Sequence, residues 1–259
     1  MKNLNVQEKS RGVLLFAFNT DTVDYVKIAK RAERLIEHTL KLPVTIITDE
    51  QVENAHSNFK NAEQMQWRNA DRYRAFELSP YDETLLLDSD YLMLDNSLLK
   101  LFDQPFDYRL QHHNHIIGDT AKYTMGEISL PFVWATVVLF RKTQKTKLLF
   151  DLVGRIQRNY QYYRLLYNIR ERNFRNDYAF AIANSIINGY DLDLGNSIPW
   201  TMLSIQDSVT KIDVKTHNLI VRLDDKAHVI PKQNVHIMDK QYLLSDEYGQ
   251  LVEEICNPN

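Results

Sequence analysis

Residues 85–91 read Leu-Leu-Leu-Asp-Ser-Asp-Tyr, an apolar run that stops at two carboxylates one residue apart. A run this short and this apolar has the character of a buried strand, so the rest of the chain must supply elements to cover it. Its end carries a separate problem. Asp88 and Asp90 repel one another when both are ionised, which raises the free energy of holding them side by side. A divalent cation removes that cost, because hard oxygen ligands suit Mg²⁺ and Mn²⁺. A solvated turn after the strand removes it as well, and an Asp-x-Asp tripeptide alone does not separate the two.

The surrounding pattern narrows the fold. Residues 12–18 form a first strand candidate. After Asn19 a helix follows, with Thr20 or Thr22 as its cap and Tyr25, Ile28, Ala29, Ala32, Leu35, Ile36 and Leu40 along one face. Residues 44–47 read as the next strand, closed by Asp49, and a second helical pattern from about 67 to 78 leads to the strand 84–87. This βαβαβ order predicts an α/β fold, a single Rossmann-like domain with a mostly parallel central sheet flanked by helices. Ligands of such sheets bind at the carboxyl ends of strands, where Asn19, Asp49 and Asp88 all fall. Downstream, 108–112 and 133–140 read as strands, 147–168 as a long amphipathic helix and 177–187 as another. Residues 209–214, 219–223 and 235–237 add short strands, and 241–255 closes the chain as helix.

Composition sets further bounds. The chain has 259 residues, 44% of them hydrophobic, enough for one large core. Seven glycines and seven prolines form no linker, and no repeat recurs, so residues 1–259 read as one domain. The longest apolar run, 13–18, is too short to cross a bilayer, and residues 1–11 are polar rather than signal-like. A soluble, cytoplasmic protein is expected. The lone Cys256 excludes an internal disulfide framework or a thiolate zinc cluster. Net charge is −3 but unevenly spread. Residues 141–175 hold ten cations (Arg141, Lys142, Lys145, Lys147, Arg155, Arg158, Arg164, Arg170, Arg172 and Arg175) against Asp151 and Glu171, a net +8 that leaves −11 elsewhere. A polyanion would bind there.

Five segments together resemble the A-type-fold nucleotide-sugar glycosyltransferases, most of all the family-8 group that includes glycogenin and the bacterial galactosyltransferases. Residues 15–19, Leu-Phe-Ala-Phe-Asn, are similar to that family's first strand and nucleotide-contacting loop. Residues 72–76, Arg-Tyr-Arg-Ala-Phe, match the basic-led helix before its acidic strand, and Asp88-Ser89-Asp90 match its metal motif. Residues 134–140 stand in place of an Asn-Ala-Gly-Val-Met segment, and Asn176-Asp177 in place of an Asp-Gln pair. His236 resembles the third metal ligand.

The resemblance implies a retaining sugar transfer from a nucleoside-diphosphate sugar, a UDP-sugar first among them, to an acceptor hydroxyl. It implies Mn²⁺ or Mg²⁺ on Asp88, Asp90 and His236, with the imidazole favouring Mn²⁺. Donor contacts would come from Phe18, Asn19, Arg72, Ser89, Thr136 and Lys240, and catalytic roles would fall to Arg72 and Asp177. Residues 12–95 would form the nucleotide-binding half and 96–259 the acceptor-binding half. Trp134 and Thr136 depart from the family's Asn and Gly, which predicts a differently shaped donor pocket. The family's Gly and Lys-Pro-Trp after the histidine are absent, and Lys240 is the comparable cation. Residues 12–24 also look like glycosyltransferases of T4-like phages, and with the basic segment this suggests DNA carrying a hydroxymethylated pyrimidine as acceptor.

Plainer roles exist for each residue. His236 suits a pairing position in a Val-His-Ile strand, and Asp177 could cap the helix that starts beside it. Arg72 and Arg74 lie about 200° apart on a helix, so only one can face the site, and position favours Arg72 as a phosphate contact. Tyr160, Tyr162, Tyr163 and Tyr167 with Arg164, Arg170 and Arg172 fit either a core-packed helix with solvated arginines or a nucleic-acid surface. A haloacid-dehalogenase-type phosphatase is the alternative enzyme, using Asp88 as nucleophile with Asp224 and Asp225 as the later acidic pair. That fold normally begins with its nucleophile strand, whereas this chain has a βαβα region ahead. An EF-hand starting at Asp88 is excluded by Met93 and Leu99 at its Gly and Glu positions. A transferase acting on saccharide or protein, or a catalytically inactive sugar-nucleotide-binding module, fits the same motifs.

Overall fold

The computed structural model describes residues 9–48, 70–117, 130–192, 195–223 and 226–258. Strand β1 (Arg11–Phe16) leads to helix α1 (Tyr25–Leu40) and strand β2 (Val44–Ile47). The helix forms over Ile28, Ala29, Ala32, Leu35, Ile36 and Leu40, which recur at helical spacing and are buried together. Its cap is Asp24, which accepts from the Lys27 N–H at 2.9 Å. Thr20, expected in that role, instead turns the preceding loop by accepting from the Val23 N–H at 3.1 Å.

A 3₁₀ turn (Ala70–Arg74) and the short helix α2 (Ala75–Leu78) precede β3 (Glu83–Leu87), in which every residue is buried. Strands β4 (Tyr91–Leu92), β5 (Tyr108–Gln111), β6 (Asn114–Ile116) and β7 (Trp134–Arg141) follow. The helix expected over 147–168 is two, α3 (Gln144–Arg158) and α4 (Tyr160–Leu166). Asn159 separates them. Its backbone leaves the helical region (φ −121°, ψ 31°) and its amide donates back to the Arg155 carbonyl at 2.9 Å.

Beyond α5 (Asn176–Ile187) lie β8 (Met202–Ile205), β9 (Val209–Val214), β10 (Asn218–Leu223), β11 (Lys226–Pro231) and β12 (Val235–Ile237). The closing helix is likewise split into α6 (Lys240–Leu244) and α7 (Asp246–Cys256), because the Ser245 hydroxyl caps α7 by accepting from the Tyr248 N–H at 3.2 Å. Asp49, residues 67–69 of the second helical pattern and the Asp224-Asp225 pair lie outside the described residues.

The central sheet has the order β2-β1-β3-β7-β5. Strand β1 pairs parallel with β2 and β3, while β7 runs antiparallel to both β3 and β5. Four strands therefore share one direction and β7 opposes them, which makes a mixed α/β sheet flanked by helices. Close approach of the edge loop is built in at Gly12, where a Cβ would lie 2.3 Å from the Tyr81 ring.

A smaller sheet, β4-β12-β8-β6, positions the site. Strand β12 pairs antiparallel with β4, setting His236 opposite Tyr91, and parallel with β8, setting His236 opposite Ser204. Since β4 begins directly after Asp90, this register carries a distant histidine to the acidic pair. Strands β9, β10 and β11 form a separate antiparallel sheet. Among the described residues no helix is long and apolar enough to cross a membrane.

Candidate metal and donor site

Asp88 leaves β3 with its N–H on the Thr136 carbonyl at 3.0 Å, and the Tyr91 N–H returns to the Asp88 carbonyl at 3.3 Å, closing a tight turn. The Asp90 carbonyl accepts from the Ile237 N–H at 2.9 Å, which fastens the turn to β12. One ligand atom each from Asp88, Asp90 and His236 then lies within 4.8 Å of the other two. This is not a solvated turn, since Ser89 is 7% and Asp90 8% exposed. Two carboxylates and an imidazole suit Mn²⁺ or Mg²⁺, and Asp90 Oδ1 is a buried oxygen without a hydrogen-bond partner, the kind of lone pair a cation satisfies.

The cluster is braced from behind. Ser204 Oγ donates to Asn114 Oδ1 at 2.9 Å and lies 3.3 Å from His236 Nδ1. That network assigns the Nδ1 proton to the Ser204 side and turns Nε2 toward Asp90 Oδ1, 3.4 Å away. Lys240, first residue of α6, donates to Asp90 Oδ2 and to the Met238 carbonyl. Burial works against ionisation of Asp90, but Lys240 and His236 outweigh it and hold the carboxyl well below the usual carboxylate range. Burial likewise opposes the charged forms of His236 and Lys240, and Asp90 overrides it, raising both.

Arg72 is 1% exposed and lies beneath Asp88. Its Nη1 donates to Asp88 Oδ1 at 2.5 Å and its Nη2 to the Ala135 carbonyl at 2.5 Å. The guanidinium expected to meet a phosphate thus holds a metal-motif carboxylate against β7, while Arg74 is only half-buried and makes neither bond. Asp177 reaches the backbone of the same residue, accepting from the Ala135 N–H at 2.9 Å and pairing with Arg175 at 2.6 Å. It does not cap α5, whose N-cap is Arg175.

The remaining expected residues fall around this centre. Thr136 is buried and contributes its carbonyl to Asp88. Trp134 is buried edge-on against Phe132, ring centroids 5.2 Å apart. Phe18 is buried against Phe16, and the exposed Asn19 accepts from the Val26 N–H at 3.0 Å, tying the β1 loop to α1.

The basic segment is divided by the fold. Arg141 is spent on the buried Glu83 at 2.7 Å, Lys142 on the Ser79 carbonyl, Lys147 on Asp151 and Arg175 on Asp177. Arg155, Arg158, Arg170 and Arg172 remain exposed. Missed by sequence reasoning were Asn114, Ser204 and the Ala135 peptide, which carry no motif; His112, buried with Nδ1 2.9 Å from the Phe132 carbonyl and Nε2 without a partner, was also missed.

No family model matches the sequence, and no curated protein matches it. Solved structures that it resembles are glycosyltransferases. The galactosyltransferase LgtC, in complex with donor and acceptor sugar analogues, is 14% identical with a TM-score of 0.43, over 74% of this chain and 73% of that one. GlyE of Streptococcus pneumoniae TIGR4 is 14% identical with a TM-score of 0.39, over 73% of this chain and 45% of that one. Mouse xyloside xylosyltransferase 1 is 11% identical with a TM-score of 0.40, over 76% and 85%. The chain therefore spans less than half the length of GlyE.

Proposed function

We propose that the chain is a metal-dependent glycosyltransferase that moves a sugar from a nucleoside-diphosphate sugar, a UDP-sugar first, to an acceptor hydroxyl with retention. The observation that carries this reading is the convergence of Asp88, Asp90 and His236 at the carboxyl end of β3, backed by Arg72 and Ser204 and faced by Lys240. When bound, a divalent cation would neutralise charge on the departing diphosphate. Lys240 would add a mobile cation for that leaving group, and Arg72 would act beneath it by fixing Asp88. Asp177, fixed by Ala135, would face the reacting sugar and stabilise the positive charge developing at its anomeric carbon. Phe18, Asn19, Ser89 and Thr136 would border the donor. Residues 12–95 would serve the nucleotide and 96–259 the acceptor, with His236 and Lys240 reaching back to the metal.

For the acceptor we propose a hydroxymethylated pyrimidine in DNA, on the strength of the exposed Arg155, Arg158, Arg170 and Arg172 and of Tyr162, which is 64% exposed. Labelled donors offered with Mn²⁺ to hydroxymethylated DNA, unmodified DNA and simple saccharides in parallel test both levels. Label on hydroxymethylated DNA alone is expected. Label on saccharide or protein overturns the DNA acceptor only, whereas hydrolysis of an aryl phosphate with no sugar transfer overturns the transferase reading in favour of a phosphatase.

A further inference from the structure

The charge of the acidic pair is balanced by cations of the chain itself. Asp88 faces Arg72 and Asp90 faces Lys240, so two carboxylates meet two cations, and His236 stands 3.4 Å from Asp90 as a third group able to carry positive charge. A dication entering alone meets a formally neutral cluster rather than one of charge −2. A dication entering with a diphosphate adds little net charge.

The two cations differ in freedom. Arg72 is fully buried and bonded at both Nη atoms, one of them to a backbone carbonyl, so it cannot leave without stranding a buried acceptor. The Lys240 side chain is 19% exposed and sits on a flexible four-carbon stem. Its backbone is anchored independently, because the preceding Asp239 caps α6 and accepts from the Val209 N–H at 2.8 Å. The second acceptor of its ammonium, the Met238 carbonyl, belongs to a residue 37% exposed, so water can replace the ammonium there and the Lys240 side chain can swing where Arg72 cannot.

Resting on the transferase reading, we infer that Lys240 is an exchangeable counter-ion that couples metal binding to diphosphate binding. Lys240 holds Asp90 Oδ2, would yield that oxygen to a metal and would then offer its ammonium to the diphosphate. Either ligand alone leaves one of these charges uncompensated. Metal and nucleotide must therefore strengthen each other's binding by the same factor.

The test measures Mn²⁺ affinity from the electron paramagnetic resonance signal of free Mn²⁺, with and without UDP, on the folded full chain. In the wild type UDP should tighten Mn²⁺ by about tenfold or more, about tenfold being the value for one unit charge a few ångströms away when water screens it almost fully. Lys240→Met should tighten Mn²⁺ alone by about tenfold and shrink the UDP effect to about twofold or less. Lys240→Gln, which can still donate to Asp90, serves as the second variant, with circular dichroism confirming that each folds. Unchanged Mn²⁺ affinity and undiminished coupling in the variants overturn the inference and leave the site reading intact, as does a wild type in which Mn²⁺ and UDP bind independently. A wild type that binds no UDP with Mn²⁺ overturns both.

Discussion

Arg72→Met separates a guanidinium that shapes the site from one that grips a phosphate. The substitution keeps an unbranched stem in the core but removes the donors to Asp88 Oδ1 and the Ala135 carbonyl, both at 2.5 Å. Breaking a buried ion pair from one side costs roughly 3–5 kcal/mol. Asp88 is 23% exposed at its side chain and recovers part of that through water, whereas the Ala135 carbonyl does not, so about 3 kcal/mol is expected. For 259 residues, about 2 °C of melting temperature per kcal/mol converts this to a fall of about 6 °C. Arg74→Met should move it by about 1 °C or less, as for surface changes generally. Thermal unfolding by circular dichroism without ligand reads this directly, and UDP titrations with Mn²⁺ provide a second axis. Arg72→Met melting within about 1 °C of wild type would refute the buried-strut reasoning. If UDP affinity nonetheless collapsed, Arg72 would be the phosphate contact that its sequence position first suggests.

Asp90→Asn should abolish Mn²⁺-dependent nucleotide binding and sugar transfer together, since it removes charge from the one carboxylate that faces His236 and Lys240; calorimetric titration with UDP and Mn²⁺ checks it. Asp177→Asn keeps an acceptor for the Ala135 N–H, so it should melt within about 2 °C of wild type yet lose transfer by about a hundredfold, and equal loss of stability and rate would reduce Asp177 to a brace. Burial lowers the His112 pKa, so below about pH 6.5 the unfolded chain binds a proton that the folded chain declines. Taken alone, that costs stability from pH 7.5 to 5.5, whereas His236, raised by Asp90, gains it over the same fall, so His112→Gln should raise stability at pH 5.5 relative to pH 7.5 in urea titrations at the two values.

The parts legible in the sequence are those where one residue periodicity is long enough to dominate. Ile28 to Leu40 repeats through four turns of α1, and the apolar run ending at Leu87 has no polar interruption, so both elements and the placing of Asp88 at a strand end follow from pattern alone. Strands β4, β6 and β8 have two to four residues each, and Asn114, His115 and Ser204 interrupt their apolar character. Such strands exist because neighbours supply their hydrogen bonds, and a window along the sequence does not contain those neighbours. The splits at Asn159 and Ser245 are likewise single-residue events inside amphipathic runs whose periodicity continues on both sides. His236 could be proposed as a ligand only by resemblance, because its proximity to Asp90 depends on the β4–β12 register.

The deepest gap concerns Ala135, whose side chain has no chemistry. Its N–H fixes Asp177, its carbonyl fixes Arg72, and Arg72 fixes Asp88; the next carbonyl, of Thr136, takes the Asp88 N–H. The two peptides that flank the Ala135 Cα, at the start of β7, thereby link a metal-motif carboxylate to the acid proposed to face the sugar. The antiparallel direction of β7 explains why this is possible. It begins at the end of the sheet where β3 finishes, so the Ala135 backbone, beyond the Leu87–Val137 pairing, meets side chains at the carboxyl end. The reversed direction of β7 thus brings one residue's backbone to both Arg72 and Asp177 at the end of β3 that carries the acidic pair.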